Sequence, residues 1–189
     1  TGLARFCSLW IALVAAGALF GTAFSGWDPE AIDWDALESS PTASHWFGTD
    51  LIGRDLFARI WLGAEVSLMA ALIATSVSIL IGVPYGAFAG LRGGRIDQLM
   101  MRIVDVLYAV PFILVVILLM VVFGRDPLLF FFALGAVYWL DIARIVRGQT
   151  LAIREQAYIQ VARTMGAGRG WILIRHVVPN VAGPALVYA

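Results

Sequence analysis

Long apolar runs separated by short stretches that gather most of the charge set the pattern of this chain. Crossing a hydrocarbon layer of about 30 Å takes about 20 apolar helical residues, because no water is present there to satisfy an open backbone. Four stretches meet that requirement: Phe6 to Phe24, Val66 to Ala89, about Val104 to Phe123, and Leu128 to about Val146. A fifth apolar run begins at Val177, with too few residues after it to span. Proline marks the interruptions. Pro84 predicts a kink near one end of the second run, Pro111 interrupts the third, and Gly124-Arg125-Asp126-Pro127 predicts a short turn between the third and fourth. The first run competes with a cleaved signal peptide, since Thr22-Ala23-Phe24-Ser25-Gly26 is rich in small residues. It is longer than the usual ~7–15 residue signal core and has Arg5 as its single basic flank, which favours a retained helix.

The second run carries small residues at every fourth position, Ala70, Ala74, Ser78, Gly82, Gly86 and Gly90. Such a stripe lets another helix approach closely, which matters in lipid because apolar burial does not drive helices together there. It predicts helix packing and needs no transport role.

Composition agrees with the pattern: 61% of the 189 residues are hydrophobic and 14% charged, too apolar for one soluble core and its wetted surface. All thirteen basic residues are arginine, balanced by thirteen acids, so net charge carries no signal for nucleic acid and only placement informs. Between Ser25 and Ala64 stand Asp28, Glu30, Asp33, Asp35, Glu38, Asp50 and Asp55 against Arg54 and Arg59. Arg92, Arg95 and Arg102 follow the second run, and Arg147, Arg154, Arg163, Arg169 and Arg175 follow the fourth. Arginine-rich loops stay in the cytoplasm, which places the amino terminus inside, the acidic loop outside and the segment 147–178 inside. Trp27, Trp34 and Trp46 in the acidic loop fit an interfacial aromatic layer better than a contact for an extracytoplasmic partner. The lone Cys7 forms no intrachain disulfide and reads as a small buried hydrophobe.

Catalytic chemistry finds little support. A phosphate-binding loop needs lysine after its glycine-rich turn, and the chain has none. His45 and His176 fall on opposite sides of the membrane by the charge-derived topology, so no metal site is expected, and no G-x-S-x-G turn is present. We expect no catalytic residue, no metal and no cofactor. Asp105, Asp141 and Arg144 lie at membrane depth near helix ends, where ionisable groups must pair or face water. Three residues apart, Asp141 and Arg144 are expected to pair along one helix in preference to contacting cargo.

The most informative segment is REQAYIQVARTMGAGRGWILIRHVVPN, Arg154 to Asn180. Tyr158, Val161, Ala162 and Met165 recur on one helical face, while Arg154, Glu155, Gln160, Arg163 and Thr164 take much of the rest, with Ile159 the exception. Gly166 and Gly168 break this short amphipathic helix, a second carries Trp171, Ile172 and Ile174, and Pro179 opens the next membrane helix. Joined to membrane helices at both ends, it either transmits a push from a partner or anchors at the membrane surface.

The segment resembles the EAA signature of ABC-importer permeases. Gln160-Val161-Ala162 stands at the Glu-Ala-Ala triplet, Gly166 at the glycine, and Val178-Pro179 at the late Leu-Pro. The triplet's acid is replaced by Gln160, which keeps length and hydrogen-bonding ability and loses the charge. Arg175-His176 before Pro179-Asn180 is similar to the peptide-importer branch. His45-Trp46-Phe47-Gly48-Thr49-Asp50 with Gly53-Arg54-Asp55 resembles the loop before the second helix of oligopeptide and dipeptide permeases of the C type, and Met101-Arg102 with Asp105 resembles the corresponding family segment. Trp139 to Gln149 is closest to oligopeptide permeases.

The resemblance implies an all-α membrane protein with a type I ABC-importer transmembrane domain. Four complete transmembrane helices, the start of a fifth and a cytoplasmic coupling helix are expected, the family's remaining helices being absent from a sequence that reads as C-terminally truncated. The division is a transmembrane helix over 1–24, an extracytoplasmic loop over 25–63 and the permease core over 64–189, with a coupling segment at 154–180. Implied partners are a paired B-type permease, two cytoplasmic ATPase subunits, an extracytoplasmic peptide-binding protein and the lipid bilayer, with no nucleic acid. Implied location is the bacterial inner membrane, multi-pass. ATPase coupling would fall to Tyr158, Gln160, Val161, Ala162, Met165, Gly166, Arg175, His176 and Pro179. A C-type permease for nickel or another small solute, and a membrane anchor or assembly subunit without a pathway of its own, are the competing functions.

Overall fold

The structure, a computed structural model, describes residues 2–124 and 126–189; Thr1, and Arg125 in the expected turn, lie outside the described residues. The chain divides into two compact units, Thr1–Ala71 and Leu72–Ala189. Among the described residues it is helical apart from the 26–55 loop and short connections between helices, and the loop's only β feature is an isolated bridge between Thr49 and Asp55.

In the first unit, α1 (Gly2–Ser25) packs Gly17 and Gly21 against Trp61, in the opening turns of α2 (Leu56–Arg92). A Cβ at either glycine would overlap the indole ring, so the two helices meet only because those side chains are missing. Most of α1 faces outward, and Cys7 is exposed. The expectation of a buried cysteine is thus corrected: a helix with one narrow contact leaves most positions to its surroundings.

The loop folds on its own polar groups. His45, 2% exposed, holds Asp55 at 3.0 Å through Nδ1 and Asp33 at 3.3 Å through Nε2, and stacks on Trp27 at 4.4 Å between centroids. Asp55 also caps α2, accepting from the backbone N–H of Ala58 at 2.7 Å. Asp50 accepts from the backbone N–H groups of Ile52 and Arg54 at 3.0 Å and from Arg54 Nε at 2.8 Å. Gly48 and Gly53 have positive φ and lie against the carbonyl oxygens of Ser39 and Asp33. Trp34 and Trp46 remain exposed.

In the second unit, the rest of α2 packs along α5 (Pro127–Arg154), with α3 (Gly94–Tyr108) and α4 (Phe112–Phe123) on α5 as well. A Cβ on Gly135 would lie 2.7 Å from the Ala74 carbonyl oxygen, and one on Gly82 2.7 Å from Ile142 Cβ. One on Gly86 would strike the Ala143 carbonyl, and one on Gly90 would lie 2.8 Å from Thr150 Cβ. Ser78 adds a hydrogen bond to the Gly135 carbonyl at 3.1 Å. Both numbers rise together along this contact, so α2 and α5 run parallel. At 37 residues α2 is about 55 Å long, and it stays a single helical element through Pro84.

Parallel neighbours require residues 93–126 to travel back along the bundle. The third expected span does so as two helices bent by 76° at the break after Tyr108. Among the described residues three helices, α1, α2 and α5, are individually long and apolar enough to cross a membrane, and counting the bent pair makes four. Pro111, at the N-cap of α4, has no N–H to continue α3, which accounts for the break.

After α5 come α6 (Ala157–Thr164), α7 (Arg169–Ile172), a π-helical turn at Leu173–Val177, and α8 (Val178–Tyr188) with Pro179 in its first turn. Their apolar residues Ile159, Ile172, Val177, Val181 and Ala185 join Val83, Ala87, Leu91, Ile142 and Val146 in one core.

Candidate functional site

The short helix α6 is built to present a surface. Ile159 is its one buried residue, 0% exposed and set among core residues from α2, α5 and α8; burying such a side chain contributes about 2–3 kcal/mol. The face formed by Tyr158, Val161 and Met165 stays 45%, 55% and 82% exposed, with Ala162 half-buried and Gln160 exposed. The residue that interrupted the apolar pattern is therefore the anchor, and the apolar face is turned away from the chain.

The end of α6 is fixed by backbone geometry. Ala167 N–H donates to the Ala162 carbonyl at 3.0 Å and Gly166 N–H to the Arg163 carbonyl at 3.0 Å, the bond pair of a Schellman cap. That cap needs the φ of +88° found at Gly166, which disfavours any residue with a Cβ. His176, half-buried in the π-helical turn, lies between Tyr158 and Trp171, at centroid distances of 5.8 and 4.9 Å. It ties α6 to the start of the last helix, while Asn180 Nδ2 donates to the His176 carbonyl at 2.6 Å. Arg175 and Pro179 are exposed.

A polar ladder joins α3 to α5. Arg147 donates through Nε and Nη2 to the two oxygens of Asp97, at 2.5 and 2.7 Å. Arg144 Nη2 donates to Asp105 at 2.8 Å, and Tyr108 Oη donates to Asp141 at 2.5 Å. The Arg144 guanidinium also sits over the Tyr108 ring, 4.3 Å from its centroid. The order 97, 105, 108 against 147, 144, 141 shows that α3 runs antiparallel to α5. The expected pairing of Asp141 with Arg144 is corrected: both side chains find partners on the neighbouring helix, where charge and hydroxyl are already aligned. Asp97, whose side chain is 7% exposed, is a member the sequence reading missed. The only trace was its place eight residues before Asp105, two turns along the same face. Beside the ladder, at the break between α3 and α4, a cavity of about 360 Å³ is bordered by Tyr108, Pro111, Phe112, Tyr138 and Asp141.

The sequence of this framework is shared with known transporters. Residues 82–189 match the family described as the inner membrane component of binding-protein-dependent transport systems. The chain is 42% identical over 177 residues to the oligopeptide transport system permease protein OppC of Bacillus subtilis (strain 168), covering 94% of this chain and 58% of the relative. It is 48% identical over 147 residues to the dipeptide transport system permease protein DppC of the same organism, covering 78% and 46%. Against OppC of Escherichia coli (strain K12) it is 41% identical over 181 residues, covering 95% and 60%. The chain thus spans about half the length of the curated relatives it matches. With a matched segment that holds the polar ladder, α6 and the α2–α5 contact from Gly82 onward, the chain belongs to the family of binding-protein-dependent transport system inner membrane components.

Proposed function

We infer that this chain is part of a permease subunit that carries oligopeptides or dipeptides across the bacterial inner membrane, driven by ATP hydrolysis on separate cytoplasmic subunits. The observation that carries the reading is the exposed apolar face of α6, clamped beneath by Ile159 and hinged to the following helix through His176. A helix so anchored moves with the bundle, and its free face suits a partner that changes shape. The relatives' names supply the cargo class, since each is a peptide transport permease.

On this reading α1, α2, the α3–α4 pair and α5 cross the bilayer with the amino terminus in the cytoplasm. The acidic 26–55 loop lies outside, toward a peptide-binding protein, and α6 inside, against one of two ATPase subunits. A second permease of the B type completes the passage. Ligand and nucleotide switch exposure only through differential contacts with the two states, which puts the demand on Tyr158, Val161, Met165 and Gly166. In this chain the ATPase face lacks the acid of the resembling signature, so Gln160 contributes hydrogen bonding there without charge.

The full-length subunit in its assembled transporter tests the reading. Tyr158→Ala combined with Met165→Ser should abolish uptake of labelled di- to pentapeptides while the subunit stays in the membrane at normal level. Undiminished peptide uptake by that variant, or uptake of nickel with no peptide uptake by the parent protein, would refute it.

A further inference from the structure

The last turns of the two parallel helices meet beside α6 in a cavity of about 420 Å³, bordered by Arg92, Arg154, Glu155, Arg163 and Arg169. Its charges do not balance. Arg154 is held by Glu155 at 2.9 Å and donates to the Gly90 carbonyl at 3.2 Å. Arg92, Arg163 and Arg169 have no carboxylate within 4 Å among the described residues. Three uncompensated guanidiniums around one cavity favour an anion with several acceptor oxygens.

The surroundings say which anion. A smaller cavity of about 150 Å³ shares Leu91, Arg92 and Arg169 with the first, and is closed by Phe88, Gly170 and Leu173. The site therefore has a cationic end and an apolar extension, the division of an amphiphile. Arg92 and Arg154 each occupy the last turn of a helix long and apolar enough to cross a membrane, which sets the cavity at the boundary between hydrocarbon and headgroups. Arg163 stands four residues after the buried Ile159, on the side of α6 away from Tyr158, Val161 and Met165. The arginines thus do not belong to the face left free for a protein partner.

We propose that this cavity is a binding site for an anionic phospholipid, the phosphodiester held by Arg92, Arg163 and Arg169 and the first acyl carbons laid along Phe88, Leu91 and Leu173. The proposal rests on the membrane-spanning reading given above, and lipid affinity is measured without transport, so either can fail alone. A bound anionic lipid would brace the junction of α2, α5 and α6, tying coupling to the composition of the leaflet.

The assembled transporter with the full-length subunit, in detergent, is titrated with dioleoyl phosphatidylglycerol or dioleoyl phosphatidylcholine and read by native mass spectrometry. Arg163→Gln with Arg169→Gln should weaken phosphatidylglycerol binding about thirtyfold, from about 1 kcal/mol for each arginine at a membrane surface. Arg95→Gln, an exposed arginine outside the cavity, should leave it unchanged, and phosphatidylcholine should bind weakly throughout. Arg169→Gln alone, should the double variant not assemble, is expected to weaken binding about fivefold. Equal affinity in parent and variants, an equal loss in Arg95→Gln, or displacement of the lipid by millimolar inorganic phosphate would overturn the proposal. Loss of the ATPase subunits with lipid binding unchanged would assign the arginines to a protein acid and overturn it too.

Discussion

Gly166 ends α6 through backbone geometry alone. Its φ of +88° lets the chain turn out of α6 while the two cap bonds form. Gly166→Ala should cost about 1–2 kcal/mol of stability, and Gly166→Asn less, because asparagine tolerates the left-handed region better. Thermal melts of the purified subunit check the order, and equal effects would contradict it. Asp50 offers a test by pH. The backbone N–H of Arg54, before any other group, holds its carboxyl below the ordinary value of 3.8. A lowered carboxyl stabilises the folded loop above its unfolded pKa, and that contribution fades as pH falls through the folded value. The melting difference between the parent and Asp50→Asn should therefore be constant from pH 7 to about 5 and shrink below about 4; a difference that grows on acidification would be inconsistent with the geometry. The motif residues His45, Gly48, Asp50, Gly53 and Asp55 were legible as a motif. Their part in folding the loop was not, because it depends on side-chain and backbone partners that no local spacing specifies.

Among elements, the α2–α5 contact was half legible. A glycine and alanine stripe tells that something comes close and does not tell what, since the partner lies about 60 residues away. Gly86→Ala should lose about 1–3 kcal/mol, because its Cβ would strike the Ala143 carbonyl in a contact with no side chain able to give way. Gly148→Ala, which meets nothing within 4 Å, should be neutral or slightly stabilising. Guanidinium or heat unfolding of the two variants side by side decides it. The α3–α5 ladder was illegible for the same reason of distance: Asp97 and Arg147 are 50 residues apart, whereas Asp141 and Arg144 invited pairing because they are neighbours. Asp97→Asn should cost about 3 kcal/mol by leaving Arg147 without its bidentate partner, and the exchange Asp97→Arg with Arg147→Asp should recover part of it. A charge exchange as damaging as Asp97→Asn alone would show that the pair does not act as a unit. The orientation of α6 was the subtlest point: periodicity identified two faces, and only packing reveals that Ile159 is the side kept in while the Tyr158, Val161 and Met165 side stays out.

At the scale of the molecule, parallel α2 and α5, a broken return through α3 and α4, and a short helix at their shared end form a frame in which α6 shares the bundle core. Ile159 contacts the same core as Val83, Ala87 and Val146, so on the coupling proposal a displacement of the exposed face passes into that core through Ile159 as well as through His176. This is the physical content of the coupling proposal. It is most directly tested by cross-linking in the assembled transporter, with Cys7 replaced by Ser and Met165→Cys paired with single cysteines on the ATPase surface. The account predicts a rapid cross-link from Met165→Cys whose yield changes with bound nucleotide, while Arg95→Cys gives none. A Met165→Cys side chain that never links to the ATPase, or that is labelled only by reagent added from outside the cell, would contradict it.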